Sequence, residues 1–255
     1  MANERLRSSI AAAGFTYATL AEKIGVDQKT IERWVMTGRK PHTTNRQDTA
    51  TALGCDEAYL WPEVLTDART QAASEAELVR LYPTRGAVPV ALWHSLIETA
   101  TESIDLLAFA ALQLFDTNPD LGRTLAMRAG NGVRVRVLLG DPDGAAVALR
   151  GEEEGIYGGL AERVRITLSH LRDLEGVTGA EIRLHDAALY TTILRCDTKM
   201  LANTHVYGSP AAANPVLHLQ RVAGGRMFDT YQTSFERVWE DAKPYPFPPR
   251  GRRRR

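Results

Sequence analysis

The chain has 255 residues, in which 31 lysines and arginines balance 31 aspartates and glutamates, and it holds only two cysteines, Cys55 and Cys196. This length exceeds what one small helical bundle needs, so a second domain of ordinary size is expected. Two cysteines exclude a disulfide framework and point to a reducing cytoplasm. The longest apolar stretch, Ile104 to Leu114, is interrupted by Asp105 and Gln113 and is too short for a bilayer; Met-Ala-Asn-Glu-Arg lacks a signal-peptide core, so neither export nor membrane embedding is expected.

In chain order, the first informative segment is residues 16 to 41. Thr16 can cap a helix whose apolar positions Leu20, Ala21 and Ile24 recur at helical spacing. Gly25 ends it, because a residue just past a helix terminus commonly takes a positive φ, and Val26 can plug the angle that follows. Asp27 caps a second helix in which Ile31 and Trp34 share one face while Gln28, Lys29, Glu32 and Arg33 share the other. One face is core and the other is free to read. Gln28 suits adenine N6 and N7, and Arg33 suits guanine O6 and N7, each bidentate pair discriminating by roughly 1–3 kcal/mol. Lys29 suits a base or a phosphate. Glu32 suits cytosine N4, or orients Lys29 and Arg33 through local ion pairs. Residues 1 to 55 carry eight lysines and arginines against five acids, a balance of +3 that the neutral total hides. So modest an excess predicts that affinity for duplex DNA also depends on pairing of two subunits.

These residues resemble the phage repressor type (XRE-like) of helix-turn-helix domain over about residues 3 to 62. The resemblance implies a bundle of about five helices whose second motif helix docks in the major groove. By position, it implies that Thr16 and Tyr17 touch phosphate and that Gln28, Lys29 and Arg33 face bases. Arg39 and Lys40, in the Gly-Arg-Lys-Pro turn, then meet the flanking backbone, as does His42.

Beyond Trp61-Pro62, the polar run Thr66 to Glu77 reads as a helical or flexible connector, and a second domain begins near Leu78. Helices are expected at Ala91 to Ser103, Leu121 to Ala129 and Gly158 to Leu171. They precede strands at Ile104 to Leu112, Val133 to Leu139 and Glu181 to His185. Strands at Ala188 to Cys196, Lys199 to Tyr207 and Val216 to Arg221 follow, closed by a helix from Met227 to Asp241. Three helix-strand units and a meander make a mixed α/β sheet. The domains are therefore placed at 1–65, with a linker at 66–77, an α/β domain at 78–243 and a disordered basic tail at 244–255.

The segment from about 92 to 241 is similar to a single phospholipase D-like domain, in its Gly-Val-Arg-Val-Arg strand, its histidine-tipped strand, its hairpin and its closing Phe-Glu-Arg-Val-Trp helix. Active members carry His-x-Lys-x4-Asp. Here His185 is present, but Ala187 stands at the lysine position and Thr192 at the aspartate position. Phosphorus chemistry thereby loses its electrostatic support, so the resemblance implies a degenerate, noncatalytic domain.

Ligands of α/β sheets gather beyond the carboxyl ends of strands, where the turn Gly140 to Asp143 falls. Asp141, Arg150, Glu153, His185, Arg195, Asn203 and His205 are the residues expected to line a site for a small polar, phosphorylated effector. The spacing of His185, His205 and His218 matches no zinc pattern, so neither a metal nor a cofactor is expected. Arg250 and Arg252 to Arg255 can add nonspecific phosphate contacts. The reading is a cytoplasmic, homodimeric, sequence-specific transcriptional regulator of actinobacterial type. Its alternatives are a phospholipase D-like phosphodiesterase or nuclease targeted to DNA, and an antitoxin-like partner-binding protein.

Overall fold

Short-range rules build the N-terminal helices. The computed structural model describes residues 2–62 and 68–248. They divide into two units, one of residues up to 75 together with 223–225, the other of residues 76–222 and those from 226 onward. In the first unit α1 spans Glu4–Ala12, α2 Tyr17–Ile24, α3 Gln28–Thr37, α4 Thr43–Leu53 and α5 Glu57–Leu60, and α6 then spans Ala68–Glu77. Asn3, Thr16, Asp27 and Asp56 cap α1, α2, α3 and α5 with their side chains. Each supplies an acceptor to an amide that the first turn leaves without a partner. Gly25 closes α2 at φ 71°, and Gly38 closes α3 at φ 67°. Leu6, Ile10, Leu20, Ile31, Trp34, Val35, Leu60 and Trp61 form one buried core.

In the second unit β1 spans Leu78–Tyr82, α7 Val90–Thr99, β2 Ser103–Ala108, α8 Leu112–Thr117, α9 Leu121–Gly130 and β3 Arg134–Gly140. There follow α10 at Ala145–Glu153, α11 at Gly159–His170, β4 at Ala180–His185, β5 at Thr191–Cys196, β6 at Lys199–Thr204 and β7 at Val216–Gln220. The chain continues through α12 at Met227–Asp241 and β8 at Lys243–Pro244. The sheet order is β1-β7-β6-β5-β2-β3-β4-β8. Strands β2, β3 and β4 are parallel, and the remaining pairings are antiparallel. The central strands β2 and β3 are buried almost throughout, as helices on both faces require. The protein therefore consists of an all-α N-terminal region and an α/β domain with a mixed sheet.

Several expectations need correction. The apolar run Ile104 to Leu112 leaves the strand after Ala108, and Ala111, at φ 58°, turns it into α8. Burial of Phe109 to Ala111 satisfies the hydrophobicity without a strand, so the run did not specify its own secondary structure. Glu77 is no linker residue. Its buried carboxylate accepts the backbone N–H groups of Arg226, Met227 and Phe228 at 2.8, 2.8 and 3.1 Å, the cap that α12 lacks locally. Residues 244–248 are not disordered. Tyr245 donates its N–H to the Ile182 carbonyl, its ring meets Phe247 edge-on, and both pack against the α/β core. Arg250 and Arg252 to Arg255 lie outside the described residues. Among the described residues no helix is long and apolar enough to cross a membrane.

Candidate nucleic-acid interface and ligand cavity

In α3 the buried side chains of Ile31, Trp34 and Val35 anchor one face. Gln28, Lys29 and Arg33 are exposed on the other. The turn before it is fixed by the Val26 N–H, which donates to the Ala21 carbonyl at 3.0 Å. Gln28 also donates to the Glu32 carboxylate at 2.7 Å, so Glu32 orients the amide along the helix. Thr16 and Thr19 form a reciprocal cap, with Thr16 exposed and Tyr17 half-buried against the core at the start of α2. Arg39, Lys40 and His42 are exposed in the segment after α3. Arg46 holds that segment from below. Buried against Glu57 at 2.5 Å, it donates to the Pro41 carbonyl at 2.8 Å, so this arginine is structural and the exposed basic surface is smaller than the residue count implied.

In the α/β domain a cavity of about 530 Å³ opens beyond the carboxyl end of β2. Phe109 and Leu160 are among its apolar walls, Thr192 and His205 among its polar ones, and Arg85 and Arg163 also line it. Thr192 lies at the β5 terminus next to Ala108, and His205 just past β6. A second cavity of about 250 Å³ is lined by Arg150, Glu153, Tyr190 and Tyr207 among others, and shares Phe109 and His205 with the first. These two rings stack at 5.8 Å and form a common wall. Gly140 permits this packing, because a Cβ there would meet Val147 at 2.5 Å and the Phe109 ring at 3.3 Å.

The His205 tautomer follows from its neighbours. Nδ1 lies 3.1 Å from the Leu189 carbonyl, which only accepts, so Nδ1 carries the proton and Nε2 accepts from the Thr192 hydroxyl at 3.0 Å. Burial pushes the imidazole pKa down to about 4; the Leu189 hydrogen bond opposes this, and Arg150 and Arg85 reinforce it. The ring is neutral at neutral pH.

The structure brings only some of the expected effector residues together. His205 lines both cavities, and Arg150 and Glu153 line the smaller. Arg150 is buried and fully engaged, with Glu153 at 3.0 Å, Glu154 at 2.7 Å and the Ser209 carbonyl at 2.8 Å. Asp141, His185, Arg195 and Asn203 line neither cavity. Asp141 closes its own turn onto the Asp143 N–H. His185 is buried under Phe109, its Nε2 3.2 Å from the Ala108 carbonyl, and burial holds its pKa below the usual histidine value. Asn203 is buried and donates to the carbonyls of Asn214 and Pro215. Arg195 sits at the opposite end of β5, bound to buried Asp105, where an ion cluster rather than a ligand satisfies it. Sequence reasoning missed Arg85, Arg163, Thr192 and Phe109 as cavity residues, since they come from separate elements with no shared spacing. Among the described residues no group of three or more His, Cys, Asp or Glu is arranged to hold a metal ion.

An all-α N-terminal unit of short helices followed by an α/β domain with a mixed sheet and a strand-end cavity is the class these features define. Residues 75–246 match the model of a family described as Domain of unknown function (DUF5919), and the chain belongs to that family. Among solved structures it is similar to TrmBL2, described as an archaeal chromatin protein showing a novel mode of DNA binding, at 15% identity and a TM-score of 0.43. The match covers 65% of this chain and 52% of that one, so the chain spans about half the length of this neighbour. No curated protein matches.

Proposed function

We propose that the chain is a sequence-specific, DNA-binding transcriptional regulator that works in the cytoplasm as a homodimer. Its α/β domain is noncatalytic, pairs the subunits and senses a small effector. One observation carries the reading: α3 exposes Gln28, Lys29 and Arg33 on a face opposite buried Ile31, Trp34 and Val35, directly after a glycine-closed turn. A helix so anchored fits the major groove with its side chains at base edges. Pairing follows from size, because one small bundle covers too little DNA for tight operator binding. The noncatalytic assignment rests on Ala187 and Thr192 at the positions where the phospholipase D-like pattern has lysine and aspartate.

Selection of bound sequences from random duplex DNA tests the whole reading. A palindromic consensus with half-sites about one helical turn apart is expected. Replacing Gln28, Lys29 and Arg33 together by alanine should abolish selection. Recovery of the same consensus with the triple variant, or no consensus with the unaltered chain, refutes it.

A further inference from the structure

We propose that the larger cavity of the α/β domain binds a small organic anion, a carboxylate or phosphate monoester, with its charge at Arg85 and Arg163 and its apolar body against Phe109 and Leu160. This rests on the effector-sensing part of the function proposed above.

Neither of the two acids that line the cavity is bonded to its two arginines: Glu154 shares Arg150 with Glu153, at 2.7 and 3.0 Å, and Asp116 is exposed to solvent. Among the described residues neither Arg85 nor Arg163 has a carboxylate within 4 Å, although Arg85 is half-buried. Desolvation lowers the pKa of Arg85 and Arg163 lowers it further, while Glu154 opposes them. A guanidinium does not escape that cost by losing its proton, so an anion is the partner that relieves it. Two arginines match one carboxylate or one phosphate through paired N–H donors.

The remaining lining narrows the class. Neutral His205 adds no third cation, and both its nitrogens are already bonded. The Thr192 hydroxyl gives its proton to His205, leaving its oxygen free to accept from a ligand O–H or N–H. Phe109, Leu160 and the alanines at 108, 110 and 111 give the ligand an apolar wall. Two guanidiniums are too few for a triphosphate. The volume of about 530 Å³ falls within the range of small-molecule sites, about 300–1,000 Å³.

The test is calorimetric titration of the full chain, without DNA, using 4-hydroxybenzoate, phenyl phosphate, neutral 4-hydroxybenzamide and inorganic phosphate. At least one of the two organic anions should bind, and both the amide and inorganic phosphate should bind about tenfold more weakly or worse. Tighter binding of the benzoate identifies a carboxylate site, and tighter binding of phenyl phosphate a phosphate site. Arg163→Gln, on an exposed helix face, and Arg85→Gln should each weaken that anion about tenfold, whereas Arg165→Gln on the same helix should not. Absence of saturation by both organic anions up to about 10 mM overturns the proposal, as does unchanged affinity in both cavity variants. Because the titration contains no DNA, its failure is distinct from a failure of operator selection.

Discussion

Replacing Asp105 by alanine should cripple the α/β domain without touching its cavity. This carboxylate is 1% exposed and is bound by two arginines: Arg136 Nε and Nη2 each donate at 2.8 Å, and Arg195 donates through Nε at 2.8 Å and through Nη2. Arg136 keeps a second partner in Glu236, at 2.7 Å from two of its nitrogens. Arg195 keeps only the Ser103 hydroxyl at 2.9 Å and the Asp197 carbonyl at 3.0 Å, neither of them charged. Breaking a buried pair from one side costs about 3–5 kcal/mol, because the surviving charge stays buried. For a domain of this size that corresponds to a fall of about 6–20 °C in the melting temperature. Glu236→Gln is the comparison. Glu236 is 38% exposed and Arg136 retains Asp105 without it, so the loss there should stay near 1 kcal/mol. Pairing Asp105→Ala with Arg195→Met removes the stranded cation and should return a large part of the stability. Scanning calorimetry on the full chain, with the α/β transition followed separately, provides the measurement. If Asp105→Ala melts within about 2 °C of the unaltered protein, the electrostatic account of the cluster is wrong.

Other outcomes follow from the same kind of reasoning. Trp34→Ala removes a buried side chain from beneath α3 and should cost the helical unit about 3–5 kcal/mol, whereas Arg33→Ala should leave melting within about 0.5 kcal/mol and still lose operator binding. A stable Trp34 variant, measured by helical circular dichroism on heating, would contradict the packing argument. Glu77→Ala strips the acceptor from three amides at the start of α12 and should cost about 1–3 kcal/mol, read as a lower denaturant midpoint; an unchanged midpoint removes it as a cap. Acid should destabilise the α/β domain. His205, held at about 4, resists the proton that an unfolded histidine accepts near 6.5, so its contribution is full above about pH 6.5 and is lost toward pH 4, to a total of about 3 kcal/mol. Burial depresses His185 and His218 in the same direction. Equal melting temperatures at pH 7.5 and pH 5 would rule this out, and His205→Gln should flatten the slope.

What the sequence disclosed depended on whether a feature was local. Thr16, Gly25 and Asp27 act within four residues of themselves, so the motif from α2 to α3 could be read directly, as could the Val-Arg-Val-Arg-Val strand and the hairpin of β5 and β6. Strand β1 went unseen because its pairing partner β7 lies far along the chain and its alternation is broken by a register shift between Leu78 and Arg80. Helix α10 was hidden by its small residues, which carry little periodic contrast. The larger cavity opens beyond β2, away from the Asp141 turn that follows β3, whereas the smaller one is lined by Arg150 and Glu153 of the helix after that turn. Arg195 shows the limit most clearly. A charged residue in an apolar strand fits a ligand or an ion pair equally well, and the lone acid of the run Ile104 to Leu112, Asp105, was the only signal favouring the pair.

The cap that Glu77 places on α12, and the pairing of β1 with β7, join the two ends of the α/β sequence. That domain has no closed sheet edge and no secured final helix until the ribosome has released the chain beyond Phe228. The side-chain caps of α1, α2, α3 and α5, by contrast, are Asn3, Thr16, Asp27 and Asp56, each directly before the helix it caps. At ordinary elongation rates of about 5–20 residues per second, the two events lie about 8–34 s apart. The N-terminal bundle thus has its capping residues on the nascent chain well before the α/β domain has the strand and helix that complete it, and the order of synthesis separates the two folding reactions.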